Sequence, residues 1–127
     1  MNEADSTLAR EYVSHVEVTV RDGTDAEFFE ARERLDDLVR NDPDRAWPIV
    51  IDVIQRTSHD DLLGYVCAGP LEDLLVYHGH ILIDRVEALG KQDPHFRRAL
   101  RGVWGRNSMP PDVGRRLDEL VRDVPSW

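Results

Sequence analysis

The chain has 127 residues, which suits one domain with one core and is too short for two ordinary ones. It is 41% hydrophobic and 32% charged, so it can fold, yet no apolar run approaches the roughly 20 residues of a membrane-spanning helix. Its formal charge of −9 falls in residues 1–64, which hold 16 acidic and 7 basic side chains, while residues 65–127 hold 9 of each. An acidic half repels phosphate backbones and disfavours nucleic acid, and it suits a partner protein with a basic surface. Cys67 is the single cysteine, which excludes an internal disulfide, and the acidic start Met1-Asn2-Glu3-Ala4-Asp5 is unlike a signal peptide. The expectation is a cytoplasmic protein.

Leu8, Tyr12, His15 and Val16 fit a short helix over about residues 6–15. The alternation Val16-Glu17-Val18-Thr19-Val20 then reads as an extended linker, since a lone strand has no partner in this chain. Residues 1–23 are thus expected to form a helix and extended arm ahead of a helical domain over 24–127. Thr24 and Glu27 have the spacing of a capping box, and Phe28, Ala31, Leu35 and Leu38 form the stripe of a helix over about 25–40. Asp42-Pro43 starts the next helix, with Trp47, Val50, Ile51 and Ile54 on one face.

Ser58 and Asp61 suggest a third N-terminus, and Gly69-Pro70 opens the longest helix, about 70–90. Asp93-Pro94 repeats the Asp-Pro start, with Phe96, Leu100, Val103 and Trp104 as its stripe and Trp104 closing the core. A last helix follows Pro110-Pro111-Asp112. These starts and short connections predict an all-α, single-domain bundle of about six helices, and pairs of similar length allow HEAT-like antiparallel hairpins.

The segment after Ala68 holds the chain's unusual residues. With Gly69 at the N-cap and Pro70 at the first helical position, Glu72 and Asp73 fall in the first turn, where free N–H groups favour negative charge. His78 falls on the apolar stripe as a hydrogen-bonded core histidine. Gly79 invites close approach of another helix or a break. Asp73, Tyr77, His80 and Asp84 form a second, polar line, where an imidazole beside a carboxylate is a candidate general base at a groove mouth. Arg97 and Arg101 share a face of the next helix, suited to salt pairing with the acidic half. The candidate functional surface is therefore Glu72, Asp73, Tyr77, His78, His80, Asp84, Arg97 and Arg101.

His59, Asp60, Asp61, Glu72, Asp73, His78 and His80 are the possible metal ligands. A helical zinc pair wants ligands four apart, whereas His78 and His80 are two apart and diverge by about 200° on a helix. No catalytic residue, cofactor or metal is assigned. Cys67 sits among apolar neighbours and is expected to be inert packing.

Trp47, Ala68-Gly69-Pro70-Leu71-Glu72-Asp73-Leu74-Leu75, His78-Gly79, Ile83-Asp84-Arg85, Asp93-Pro94-His95-Phe96-Arg97, Leu100 and Val103-Trp104 together resemble a family of small bacterial proteins known only as a domain of unknown function. The resemblance covers about residues 25–122, leaving residues 16–20 outside. It implies a bacterial, all-helical, cytoplasmic protein and brings no established activity. The leading expectation is a non-enzymatic helical module that binds another protein. One version is an immunity or antitoxin-like protein whose acidic half masks a basic toxin. The alternative is a small-molecule- or metal-binding protein or enzyme with its site around Asp73, Tyr77, His78 and His80. A homo-oligomer through Trp127 is a third.

Overall fold

In the computed structural model, which describes residues 1–23 and 29–127, Asn2 caps the first helix by accepting from the Asp5 N–H at 2.8 Å. Helix α1 (Glu3–Asp22) runs unbroken until Gly23, whose φ of +74° lets its N–H return to the Thr19 carbonyl. This corrects the expectation of a short helix followed by an extended linker. Leu8, Ala9, Tyr12, Val13 and Val16 are buried at helical spacing, and that burial outweighs the strand preference of the valine alternation. The capping-box residues Thr24 and Glu27, and Phe28, lie outside the described residues.

Helix α2 (Phe29–Asn41) buries Ala31, Leu35 and Val39. The two Asp-Pro starts behave as expected. Asp42 accepts from the Arg45 N–H at the head of α3 (Pro43–Gln55), and Asp93 accepts from the His95 and Phe96 N–H groups at the head of α6 (Pro94–Arg101). Helix α4 (Asp60–Val66) starts after His59 without a side-chain cap, so Ser58 does not serve as one.

The chain does not restart at Gly69-Pro70. Helix α4 passes through a π turn (Cys67–Leu71) straight into α5 (Glu72–Gln92). Pro70 has no N–H and its ring crowds the carbonyl one turn back, so the α ladder cannot close there. Gly69 absorbs the change with φ −106° and ψ −105°, and the wider turn keeps the rod helical. A second bend lies at His78 (φ −134°, ψ 17°). Taking the bent α4–α5 rod as one, the described residues form six helical runs and no strand, closing with a short 3₁₀ turn (Arg106–Ser108) and α7 (Pro111–Leu120). None of these helices is long and apolar enough to cross a membrane.

Helix α5 is central, packed against α2 and α3 and also against α6 and α7, while α1 lies across α2, α3 and α4. Leu71, Leu74, Leu75, Leu82 and Val86 are fully buried in one core with residues of α1 and α3. Each such side chain contributes about 1.5–3 kcal/mol by leaving water. Trp47 meets Phe96 edge-on at 5.9 Å within this packing. Gly79 lets α7 close in, since a β-carbon there would stand 2.8 Å from a Val113 methyl.

Arginines tie the elements together at the surface. Arg45 grips the buried Asp5 with both Nε and Nη2, joining α3 to the start of α1. Arg85 reaches Asp44 at 2.8 Å and Arg98 reaches Asp60 at 2.7 Å, so the second half does pair with acidic residues of the first. Exposed pairs of this kind contribute about 0–1 kcal/mol each.

Trp104 does not close the core, contrary to expectation. Helix α6 ends at Arg101, so the helical period no longer applies three residues later. Val103 turns inward instead, and Trp104 is left 81% exposed. Trp127 folds back on its own chain: its indole N–H donates to the Arg98 carbonyl at 2.9 Å, and the Arg98 guanidinium stacks 4.7 Å from its ring.

Candidate functional site

The eight residues singled out from the sequence go to different places. Arg97 pairs with Asp123 at 2.6 Å, while Arg101 donates to the Val124 carbonyl and the Ser126 hydroxyl, so both pin the C-terminal tail. Asp84, on the outer side of α5, pairs with Arg116 of α7 at 2.7 Å. His80 is exposed. His78 is only half-buried rather than a core residue, because the backbone bends there; its Nε2–H donates to the Arg40 carbonyl at 3.0 Å. Tyr77 is exposed, with the Arg40 guanidinium 5.6 Å from its ring centroid. Tyr77 and His78 therefore hold the end of α2.

Glu72 has a different job from the one its position suggested. Its Oε1 accepts from the backbone N–H groups of Trp104 (3.1 Å) and Gly105 (2.8 Å), 32 and 33 residues along the chain, rather than from N–H groups of its own helix. Arg106 adds a second brace, donating from its backbone to the Trp104 carbonyl and from its side chain to the Val103 carbonyl and Asp118. The loop carrying the exposed Trp104 is thus held at both peptide edges. Charge-assisted bonds to backbone N–H groups are about twice as strong as neutral ones.

Asp73 belongs to a third place, a cleft of about 260 Å³ beside the π turn, lined by Tyr12, Arg32, Asp36, Tyr65, Ala68, Gly69 and Asp73. The elements meet there because α1 packs on α4 while α2 packs on the π turn and on α5. Burial raises the Asp73 carboxyl above its ordinary value, with Asp36 and Glu72 adding repulsion and Arg40 opposing it. Burial also raises Asp36, and Arg32, Arg40 and His15 oppose that shift. Tyr12 is pushed well above the ordinary phenol value, first by burial and then by Tyr65 and Asp36. Behind the wall, the fully buried His15 places Nε2 3.0 Å from the Tyr65 hydroxyl, and its Nδ1 faces Thr19 at 3.4 Å.

Sequence reasoning placed Asp73 but missed Tyr12, Asp36 and Tyr65 as its neighbours. One signal was available: Tyr12, His15 and Thr19 put polar atoms at helical spacing within an apolar stripe, and buried polar atoms need a purpose. Asp36 and Tyr65 had no such signal, since each sits in an ordinary charged or aromatic context.

Cys67 is buried in the π turn. Its thiol donates to the Ala99 carbonyl at 3.0 Å, and burial pushes it up to about 12, with Arg98 opposing. Among the described residues no three His, Cys, Asp or Glu side chains are grouped so that they could hold a metal ion.

A family model described as "Family of unknown function (DUF6869)" matches residues 19–124. No curated protein and no solved structure matches the chain.

Proposed function

We propose that this chain, which belongs to the family of unknown function DUF6869, is a non-enzymatic helical module that binds another protein through the face carrying Trp104. The observation that supports it is the pairing of an 81% exposed indole with a loop braced by Glu72 and Arg106. An aromatic ring held in water gains the most from burial, and one on a fixed loop loses little conformational freedom on binding. Tryptophan is accordingly enriched among the residues that dominate binding energy.

The finer reading is a bacterial, cytoplasmic protein whose acidic first half approaches a basic partner surface, as an immunity or antitoxin-like protein does. Its support is the confinement of the −9 charge to residues 1–64.

A photo-crosslinking phenylalanine analogue at position 104, in cells of the native host, tests this. The expected result is an adduct with one discrete protein that is absent when the analogue stands at the exposed Glu119. The purified partner then binds Trp104→Ala about 30-fold more weakly, a loss of about 2 kcal/mol. No adduct at position 104, or equal affinity of the variant and the parent, removes the reading.

A further inference from the structure

The cleft beside the π turn presents two groups, the Tyr12 hydroxyl and the Asp73 carboxylate, that accept from no described residue. Tyr12 is 2% exposed, yet its hydroxyl makes no hydrogen bond to any described residue. The hydroxyl points at the bend, 3.8 Å from where a β-carbon on Gly69 would stand. It is open to the cleft, because no sealed side-chain oxygen or nitrogen of the described residues lacks a partner. The half-buried Asp73 carboxylate likewise makes no hydrogen bond or ion pair with a described residue. Asp36, the third acceptor, pairs at 3.8 Å with Arg32, one turn away on α2 and in the same cleft lining.

We propose that this cleft is a recognition site for a single guanidinium group, held by the Asp73 and Asp36 carboxylates and the Tyr12 hydroxyl between the Tyr12 and Tyr65 rings. Four features select that chemistry. The Asp73 carboxylate and the Tyr12 hydroxyl oxygen accept from no described residue, so the missing piece is a donor. Two carboxylates call for a positive charge. A planar fork with five N–H groups can serve two carboxylates and a phenol oxygen at once, which an ammonium cannot do in one plane. Aromatic walls favour a flat cation. The volume of about 260 Å³ lies below the roughly 300–1,000 Å³ of sites for drug-sized ligands, and it suits one side-chain head group.

The electrostatics agree with that geometry. Burial is the largest cause of the raised Asp73 and Asp36 carboxyls; Arg40 opposes it at both, and Arg32 at Asp36. A cation placed between them offsets both burial and repulsion. The site is separate from the Trp104 face and does not depend on that reading. The guanidinium can belong to an arginine of a partner protein or to a free small molecule.

The test is an amide-shift titration of the isotope-labelled protein at fixed ionic strength, with two probes: methylguanidinium, and the peptide Gly-Gly-Arg-Gly-Gly with blocked ends. Saturable shifts at the Tyr12, Gly69 and Asp73 amides are expected with at least one probe. Tighter binding of the peptide assigns a partner's arginine, and tighter binding of methylguanidinium assigns a free ligand. Asp73→Asn should weaken binding about tenfold, the scale of one charge-assisted bond. Tyr12→Phe, which keeps the buried ring, should weaken it several-fold and provides the check if Asp73→Asn is misfolded. Asp37→Asn, on α2 outside the cleft, should change nothing. Absence of saturable shifts with both probes overturns the proposal. So does equal weakening by Asp37→Asn and Asp73→Asn, which would reduce the effect to surface charge.

Discussion

Gly79→Ala separates local helix propensity from tertiary crowding, because the two act in opposite directions. In an open helix the change stabilises by about 1 kcal/mol. Here the new methyl would stand 2.8 Å and 3.1 Å from the two Val113 methyls and 3.4 Å from its β-carbon. Val113 is buried on α7, and a helical valine is restricted mainly to one χ1 well, so turning it away is unfavourable. Helix α7 must shift, at the 1–3 kcal/mol typical of overpacking (about 2 as a midpoint). The net expectation is a protein about 1 kcal/mol less stable.

Val113→Ala alone should cost about 2 kcal/mol through two lost methyls and the space left behind. In the double variant the alanine methyl at 79 fills that space, and the surviving β-carbon at 3.4 Å is an ordinary contact. The two changes should therefore couple favourably by about 1–2 kcal/mol. Urea unfolding followed by far-ultraviolet circular dichroism on the four proteins measures this. A single Gly79→Ala variant more stable than the parent by the full propensity gain, with no coupling to Val113, would refute the close approach of α7.

Other outcomes follow from the same contacts. Glu72→Ala leaves the Trp104 and Gly105 N–H groups without their acceptor, so it should cost about 1–3 kcal/mol and speed hydrogen exchange at those two amides; unchanged exchange there would show that the loop is held by Arg106 alone. Asp73 has a raised carboxyl, so its ionisation works against folding at neutral pH, and that cost disappears as pH falls through the raised value to the ordinary 3.8. Asp73→Asn should accordingly raise the urea midpoint at pH 7, with the gap closing in acid. Glu87 has the opposite sign: the Arg116 hydrogen bond lowers its carboxyl, so the pair stabilises above the ordinary 4.5 and fades as pH falls through the lowered value. Glu87→Gln should lower the midpoint at pH 7 by up to about 1 kcal/mol and match the parent in strong acid. Cys67, with its thiol pushed up to about 12 and its Sγ bonded to Ala99, should resist iodoacetamide in the native protein and react on unfolding; rapid labelling of folded protein would contradict its burial.

Local chemistry was enough to locate much of the scaffold. Asp42-Pro43 and Asp93-Pro94 each carry a complete helix start within four residues, and both act as one. Of the expected stripes, Ala31, Leu35, Val50 and Ile54 are buried, Leu38, Trp47 and Ile51 are partly buried against the core, and His78 leaves the core at the bend. Arg97 and Arg101, expected to pair with the acidic half, hold the C-terminal tail instead, and it is Arg85 and Arg98 that reach first-half carboxylates. Part of the candidate site was visible too, since Asp73 stood out on the polar line of the helix that Gly69-Pro70 was expected to open.

The rest depended on groups far apart in the chain. Gly69-Pro70 looks like a helix start from its neighbours alone, but the leucines on both sides belong to one core, and that burial carries the rod through the bend. Glu72 finds its acceptor role 32 and 33 residues away, where no spacing rule reaches. Trp104 left its stripe because α6 stopped short of it. The cleft is assembled from α1, α2, α4, the bend and the start of α5, and neither Tyr12 nor Asp36 is near Asp73 in sequence. Periodicity and capping act over a few residues, so the sequence determined by itself most of the helical segments and inward faces, though not the second half of α1 or the position of Trp104. Which polar atoms are left facing one another is a property of how the helices pack, and only the tertiary structure decided it.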